Sequence, residues 1–229
     1  MKYLDRKYFI WLFVGVSAII YVILLLIFPI ESEQKTFIYY LKPLPMVVTG
    51  DLIFFFVFVE FMWKWKIFYD WLIPIPNIQG TWKGAIHSTW VDPKTNTTPN
   101  PIPVILTIKQ TLLNTSCVMR TAEMESYSFT SGFVINKENQ ILRLFYSYDS
   151  IPKQTVKDRS PQHFGTMMFN ISISAKGNKE LTGEYWTGRK TTGVVNLKFW
   201  KKELINKYPE KLGKHPVSQI RNENTDNNS

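Results

Sequence analysis

The sequence predicts a membrane-anchored all-β protein: an N-terminal two-helix transmembrane hairpin followed by an eight-stranded antiparallel up-and-down β-barrel. Three observations predict it. The N-terminal third carries two long apolar stretches, 9–30 and 44–62. Beyond residue 78, period-two segments follow one another with turn residues between them and no long helical period before the tail. The clearest pair of such segments, 181–199, reads LTGEYWTGRKTTGVVNLKF. Here Leu181, Gly183, Tyr185 and Thr187 alternate with Thr182, Glu184, Trp186 and Gly188. Val195, Leu197 and Phe199 do the same after the turn.

Stretch 9–30 is uncharged and long enough for the roughly 20 residues that span a bilayer core. It lacks the short core and small-residue cleavage site of a signal peptide. The connector 31–43 is short and polar, so the second stretch should return antiparallel to the first. Trp11, Trp63 and Trp65 fall near helix ends, where amphipathic rings favour the interface. Lys2, Arg6 and Lys7 precede the first span, and Lys64 and Lys66 close the second. Lys35 and Lys42 in the connector are accompanied by Glu31 and Glu33. The bias places both termini and everything after Trp71 on the cytoplasmic side, as a multi-pass protein. Two carboxylates lie in the second stretch, Asp51 and Glu60. Intramembrane carboxylates are costly and point by default to function. Glu60 can pair with Lys64 one turn on. Asp51 has two readings: it reaches water at the outer interface, or it serves a helix–helix contact or a pore.

The linker 73–78 contains Pro74 and Pro76, which stiffen it. The barrel domain then occupies 79–201, with strands at 79–89, 103–111, 114–123, 127–136, 140–148, 162–175, 180–188 and 192–201. Connections in such a barrel alternate between its ends. Those after strands two, four and six are short, and those after strands one and five are long. The long loops and the 189–191 turn therefore share one end, a lidded mouth facing away from the bilayer. Lys94, Lys153, Lys157, Arg159, Arg189 and Lys190 fall on that mouth, against Asp92, Asp149 and Asp158. It is net basic and suits a phosphate-bearing ligand. The tail, 202–229, is polar and reads as largely disordered, 221–229 above all.

Composition narrows the function classes. The chain has 229 residues and a formal charge of +9, which suggests an anionic partner: membrane headgroups, nucleic acid or nucleotides. Its one cysteine, Cys117, excludes an intramolecular disulfide framework. There is no phosphate-cradling Walker loop, no HExxH, no GxSxG and no paired-cysteine metal motif. His87, His163 and His215 are scattered without ligand spacing. An enzyme is not expected, nor a cofactor, nor a metal.

Gly80-Thr81-Trp82 opens the first strand, and LTGEY comes late in the chain. Together they resemble streptavidin-like barrels, in which the tryptophan plugs the floor. The whole plan, with GTWKG at 80–84 and LTGEYWTGRKTTG at 181–193, resembles the CBASS antiphage effectors built from two transmembrane helices and a minimal β-barrel. The resemblance covers 9–201. It implies a barrel that binds a cyclic oligonucleotide, above all a cyclic dinucleotide, made by a partner nucleotide cyclase. It further implies that binding drives homo-oligomerisation and that the helices then disrupt the inner membrane and kill the cell. No DNA or RNA partner is expected.

Both lines of reasoning converge on a set of ligand-binding residues. Tyr185 and Thr187 point inward if Leu181 does, and Arg189, Lys190, Thr191 and Thr192 crown them. An arginine fork takes phosphate in bidentate fashion, and hydroxyls share the remaining oxygens. On the first strand the parity of Trp82 turns Gly84, Ile86 and Ser88 inward, with Trp90 at the mouth. Ser88 can bond a base or phosphate and Trp90 can stack on a base. The bland reading of the 189–193 turn is a solvated hairpin tip, that of Tyr185 a core residue, and that of Trp90 a rim cover. A reading from another class also stands: a membrane-anchored carrier or scaffold whose barrel holds an apolar ligand or a protein. A basic mouth favours the first, an apolar mouth the second.

Overall fold

The computed structural model describes residues 4–28, 37–93 and 95–218. Lys2, residues 29–36 with Glu31, Glu33 and Lys35, Lys94 and the 219–229 end of the tail lie outside the described residues. The chain forms two compact units, one of residues 1–77 with 111–113, the other of 78–110 with 114–229.

In the first unit, α1 (Arg6–Ile27), α2 (Phe37–Leu41) and α3 (Leu44–Glu60) follow in order. Asp5 caps α1 by accepting from the backbone N–H of Lys7 and Tyr8. α1 and α3 run antiparallel. Phe9 meets Phe58, Phe13 meets Phe54 and Phe55, and Ile20 touches Gly50. Midway, Ser17 donates to Asp51 Oδ2 over 2.8 Å. Asp51 thus makes a helix–helix contact, and its second oxygen is buried without a partner. Glu60 is the last residue of α3, and its charge acts on Lys64 one turn on.

Of the two expected spans, the first has the length and hydropathy of a crossing helix. α1, with 22 residues and a mean hydropathy of 2.9, is the one helix among the described residues long and apolar enough to cross a membrane. α3 has 17 residues. At 1.5 Å per residue it rises about 25 Å, and its length is the lower end of the roughly 17–25 residues of spanning helices. The expected second span, 44–62, runs on past α3 into a tight 3₁₀ turn at Met62–Lys64, which ends the straight rise.

The second unit is a closed barrel of eight consecutive antiparallel strands. They are β1 (Gly80–Ser88), β2 (Ile102–Gln110), β3 (Thr115–Arg120), β4 (Met124–Asn136), β5 (Ile141–Pro152), β6 (His163–Ile173), β7 (Lys179–Thr187) and β8 (Thr192–Lys201). All eight expected strands are present, and β1 pairs with β8 to remove both edges. The alternation sends Leu106, Leu144, Phe169, Leu181 and Val195 inward, each fully buried. Trp82 is the floor plug: wholly buried, edge-on to Phe199 at 5.3 Å, with its Nε1 donating to Ile78 O at 3.0 Å. Cys117 is buried in the same core, and burial raises its thiol pKa far above the usual value, so it is inert.

The expected disorder of the tail does not extend to 202–218. β8 ends at the floor, and the chain returns along the outside of β1–β3. Thr81 Oγ1 donates to Glu203 O and accepts from Ile205 N, and Thr107 Oγ1 and Arg120 Nη1 donate to Ile205 O. These contacts give a polar segment enough partners to hold one path. They explain why Ile105 and Thr107, which face outward by register, are buried all the same.

Candidate ligand-binding site

At the mouth the strands enclose a cavity of about 320 Å³. Such a volume lies at the lower end of small-molecule sites. One wall is built by β1, β7 and the turn that follows β7. Ser88 Oγ accepts from Tyr185 Oη at 3.0 Å and from Trp90 N at 3.1 Å, so three of the expected residues form one linked group. The turn is tight. Lys190 N donates to Thr187 O, Thr187 N donates to Thr191 O, and the two threonine hydroxyls meet at 2.6 Å. It aims Arg189 across the mouth, where Nη1 donates to Ser160 Oγ at 3.0 Å and Nη2 lies 3.5 Å from His163 Nε2. His163 Nδ1 lies 3.1 Å from Pro161 O, which assigns its proton there and leaves Nε2 as an acceptor. Burial, with Arg189 adding to it, lowers the His163 pKa, so the ring is neutral at pH 7. Both partners of Arg189 are therefore uncharged, and among the described residues no carboxylate pairs with it.

The floor of the cavity is aromatic. Tyr146 and Tyr148 come from β5, Tyr185 from β7. Burial raises the pKa of all three, so they stay neutral hydroxyls. Two glycines make room for them: a Cβ on Gly165 would lie 2.5 Å from the Tyr148 ring, and one on Gly193 2.6 Å from the Tyr185 ring. The Tyr146 hydroxyl is fully buried and has no hydrogen-bond partner. An orphaned buried hydroxyl costs about 1–3 kcal/mol, which a ligand acceptor would recover.

The opposite wall joins the β3–β4 turn, the β5–β6 loop and the tail. Thr121 Oγ1 accepts from the backbone N–H of Glu123 and Met124, shaping the turn that presents Glu123. Arg159 Nη2 pairs with Glu123 Oε1 at 2.5 Å, and Ser218 Oγ bonds both. His215 and Val217 complete the wall. His215 Nδ1 is buried 3.4 Å from Glu123 Oε2 without a hydrogen bond. Burial is the larger influence on its pKa and lowers it against the raising effect of Glu123.

Of the residues expected from sequence, Ser88, Trp90, Tyr185, Thr187, Arg189 and Thr191 line the cavity, while Lys190 and Thr192 do not. Lys190 sits at the turn tip with φ 62°, exposed. Thr192 begins β8 one residue before the inward Gly193, so alternation turns it outward, where its Oγ1 meets that of Thr89 at 2.8 Å. Lys153 and Lys157 also lie off the cavity, and Arg159 is on it. Sequence reasoning did not single out Tyr146, Tyr148, Glu123, His163, His215 or Val217. The tyrosines were within reach: Leu144, Tyr146, Tyr148 and Ser150 form one period-two row and are all buried. His163 opens β6 on the same row as the buried Met167 and Phe169 and was within reach by the same rule, whereas Glu123, His215 and Val217 sit on a turn or in the tail, where no period applies.

Two comparisons with known proteins bear on this site. Residues 73–199 match the family model described as Cap15, cyclic dinucleotide receptor domain. The chain is also similar to CD-NTase-associated protein 15 of Staphylococcus schleiferi, 31% identical over 139 residues, which is 61% of this chain and 69% of the relative. The matched span begins at the linker and ends within β8, so it contains every strand that walls the cavity. The chain belongs to the Cap15 family, through its cyclic dinucleotide receptor domain.

Proposed function

We propose that the barrel is the sensor of an antiphage effector and takes a cyclic dinucleotide made by a partner cyclase into its mouth. The observation that carries this reading is Arg189, a cation at a cavity with only neutral partners, beside three tyrosines. A cyclic dinucleotide offers two phosphates and two bases. A phosphate matches the guanidinium fork, and the bases match aromatic surfaces. Family membership supports the ligand class. α1 supports a membrane anchor, and the reading extends to the bacterial inner membrane, with the barrel and both termini cytoplasmic. Occupancy of the barrel then drives homo-oligomerisation, and the N-terminal unit of the assembled chains disrupts the membrane. The two helices of one chain enclose no wide aqueous path, so damage requires several chains, and the ligand must favour the assembled state.

The test is titration calorimetry of the full-length chain in detergent against a panel of cyclic dinucleotides and trinucleotides, at low and high salt. Binding that weakens as salt rises supports the reading, because cation–phosphate attraction at an open mouth is screened. The absence of binding by every member at low salt refutes it. Binding of fatty acids or other uncharged apolar ligands instead would support the carrier reading.

A further inference from the structure

We propose that the tail segment 214–218 is a wall of the ligand cavity, and that it positions Arg159 to take a ligand phosphate. The proposal rests on the cyclic dinucleotide reading above. The segment lies beyond the span that matches the receptor domain, which ends at residue 199. It reaches the mouth by a defined route. Anchored along β1–β3 at Glu203 and Ile205, the chain makes a 3₁₀ turn at Glu210–Leu212 and reverses at Gly213, whose φ of 100° favours glycine. Pro216 and Val217 are then buried, Val217 with 4% of its surface exposed.

The polar contacts fix one side chain. Ser218 Oγ donates to Glu123 and accepts from Arg159 Nη2 at 2.9 Å, which uses its single proton and one lone pair. Arg159 Nη2 also donates to Glu123. Every bond that holds Arg159 is thus made by one terminal nitrogen. Nε and Nη1 have no partner among the described residues, on a side chain that lines the cavity with 20% exposure. The carboxylate, hydroxyl and guanidinium form a closed set on one edge of the fork and leave the other edge for an anion.

The second arginine suits the ligand's charge. Arg159 and Arg189 flank Ser160, whose Oγ is bonded by Arg189. A cyclic dinucleotide carries two phosphates, so each arginine has one to meet. Glu123 would repel a phosphate if it stood alone. Its place in the cavity is explained by its hold on Arg159, with the tail as the third member of that hold.

The experiment is calorimetry on the full-length chain in detergent, with whichever of cyclic di-AMP, cyclic di-GMP and cyclic di-UMP the unmodified chain binds most tightly. A chain ending after Gly213 is compared with one ending after Ser218, which keeps the segment. Loss of the segment should weaken binding about tenfold or more, the effect of a lost charge-assisted bond. Ser218→Ala, which keeps Val217 in its seat, should weaken binding in the same direction, and Ser218→Thr should restore it. In an Arg159→Ala background, removal of the segment should have little further effect, since it acts through that side chain. Unchanged or tighter binding without the segment overturns the proposal. So does an equal loss in both backgrounds. If the unmodified chain binds none of the three probes, the receptor reading falls and this proposal with it. If it binds and the segment variants behave like the unmodified chain, this proposal falls and the receptor reading stands.

Discussion

Arg189→Ala is the sharpest perturbation of the site. The side chain makes two contacts with neutral groups, 3.0 Å to Ser160 Oγ and 3.5 Å to His163 Nε2, at a mouth where both partners can turn to water. Its removal should therefore cost the fold little, within about 0.5 kcal/mol as for other sites with no packing to lose. Ligand affinity should respond differently. A hydrogen bond to a charged group is worth about 1.5–3 kcal/mol, so the dissociation constant should rise about ten- to 150-fold. The remaining affinity should also depend less on salt, because one screened attraction has gone. Lys190→Ala is the internal control. It removes the same charge one residue on, from an exposed turn tip off the cavity, and affinity should stay within about twofold of the unmodified chain. Calorimetry at two salt concentrations, with thermal melting to establish folding, measures all of this. Equal effects of the two substitutions would show that the mouth attracts the ligand only by net charge. A folded Arg189→Ala chain with unchanged affinity would show that the turn is only a turn.

Other outcomes follow from the same contacts. Tyr146→Phe removes a buried hydroxyl with no partner, so the melting temperature should hold or rise while ligand affinity falls about fivefold, near 1 kcal/mol; a fall in stability with unchanged affinity would refute the assigned contact. His163 and His215 both have pKa values lowered below 6.5 in the fold, so the unfolded chain binds more protons. Stability should accordingly be full above pH 6.5 and decline as pH falls from there through the folded values. Melting curves of the chain with His163→Gln and His215→Gln should be flatter over that window. Asp51→Leu breaks the Ser17 bond within the helical unit. Ligand binding should survive and toxicity in cells should fall if that contact serves assembly, whereas full toxicity would make Asp51 a bystander.

The barrel was legible in the sequence because period two is a local property. Once Trp82 is set inward, alternation along β1 sends Ile86 and Ser88 the same way, and Leu181 does as much for Tyr185 and Thr187. Cavity-lining residues on strands were found for this reason, and the row of Tyr146 and Tyr148 on β5 could have been found by the same rule. A resemblance carried by the short stretches at 80–84 and 181–193 pointed to the ligand class. Turns have no such period. The 189–192 run looks uniform in sequence, yet the turn geometry sends Arg189 and Thr191 to the cavity, Lys190 to solvent and Thr192 to the outer face.

Length and hydropathy identified α1 by themselves, since a spanning segment is a sum over neighbours in the chain. They did not locate the end of the second segment, because the place where α3 gives way to a 3₁₀ turn is not written in hydropathy. The tail is the larger case. Its composition reads as disorder, and composition alone contains no partners. Ser218 meets Glu123 across 95 positions, and Thr107 meets Ile205 across 98. Contacts at such separations leave no local pattern, so only the closed barrel, with its outward threonines and its mouth, decides that this polar segment has a path and where it ends.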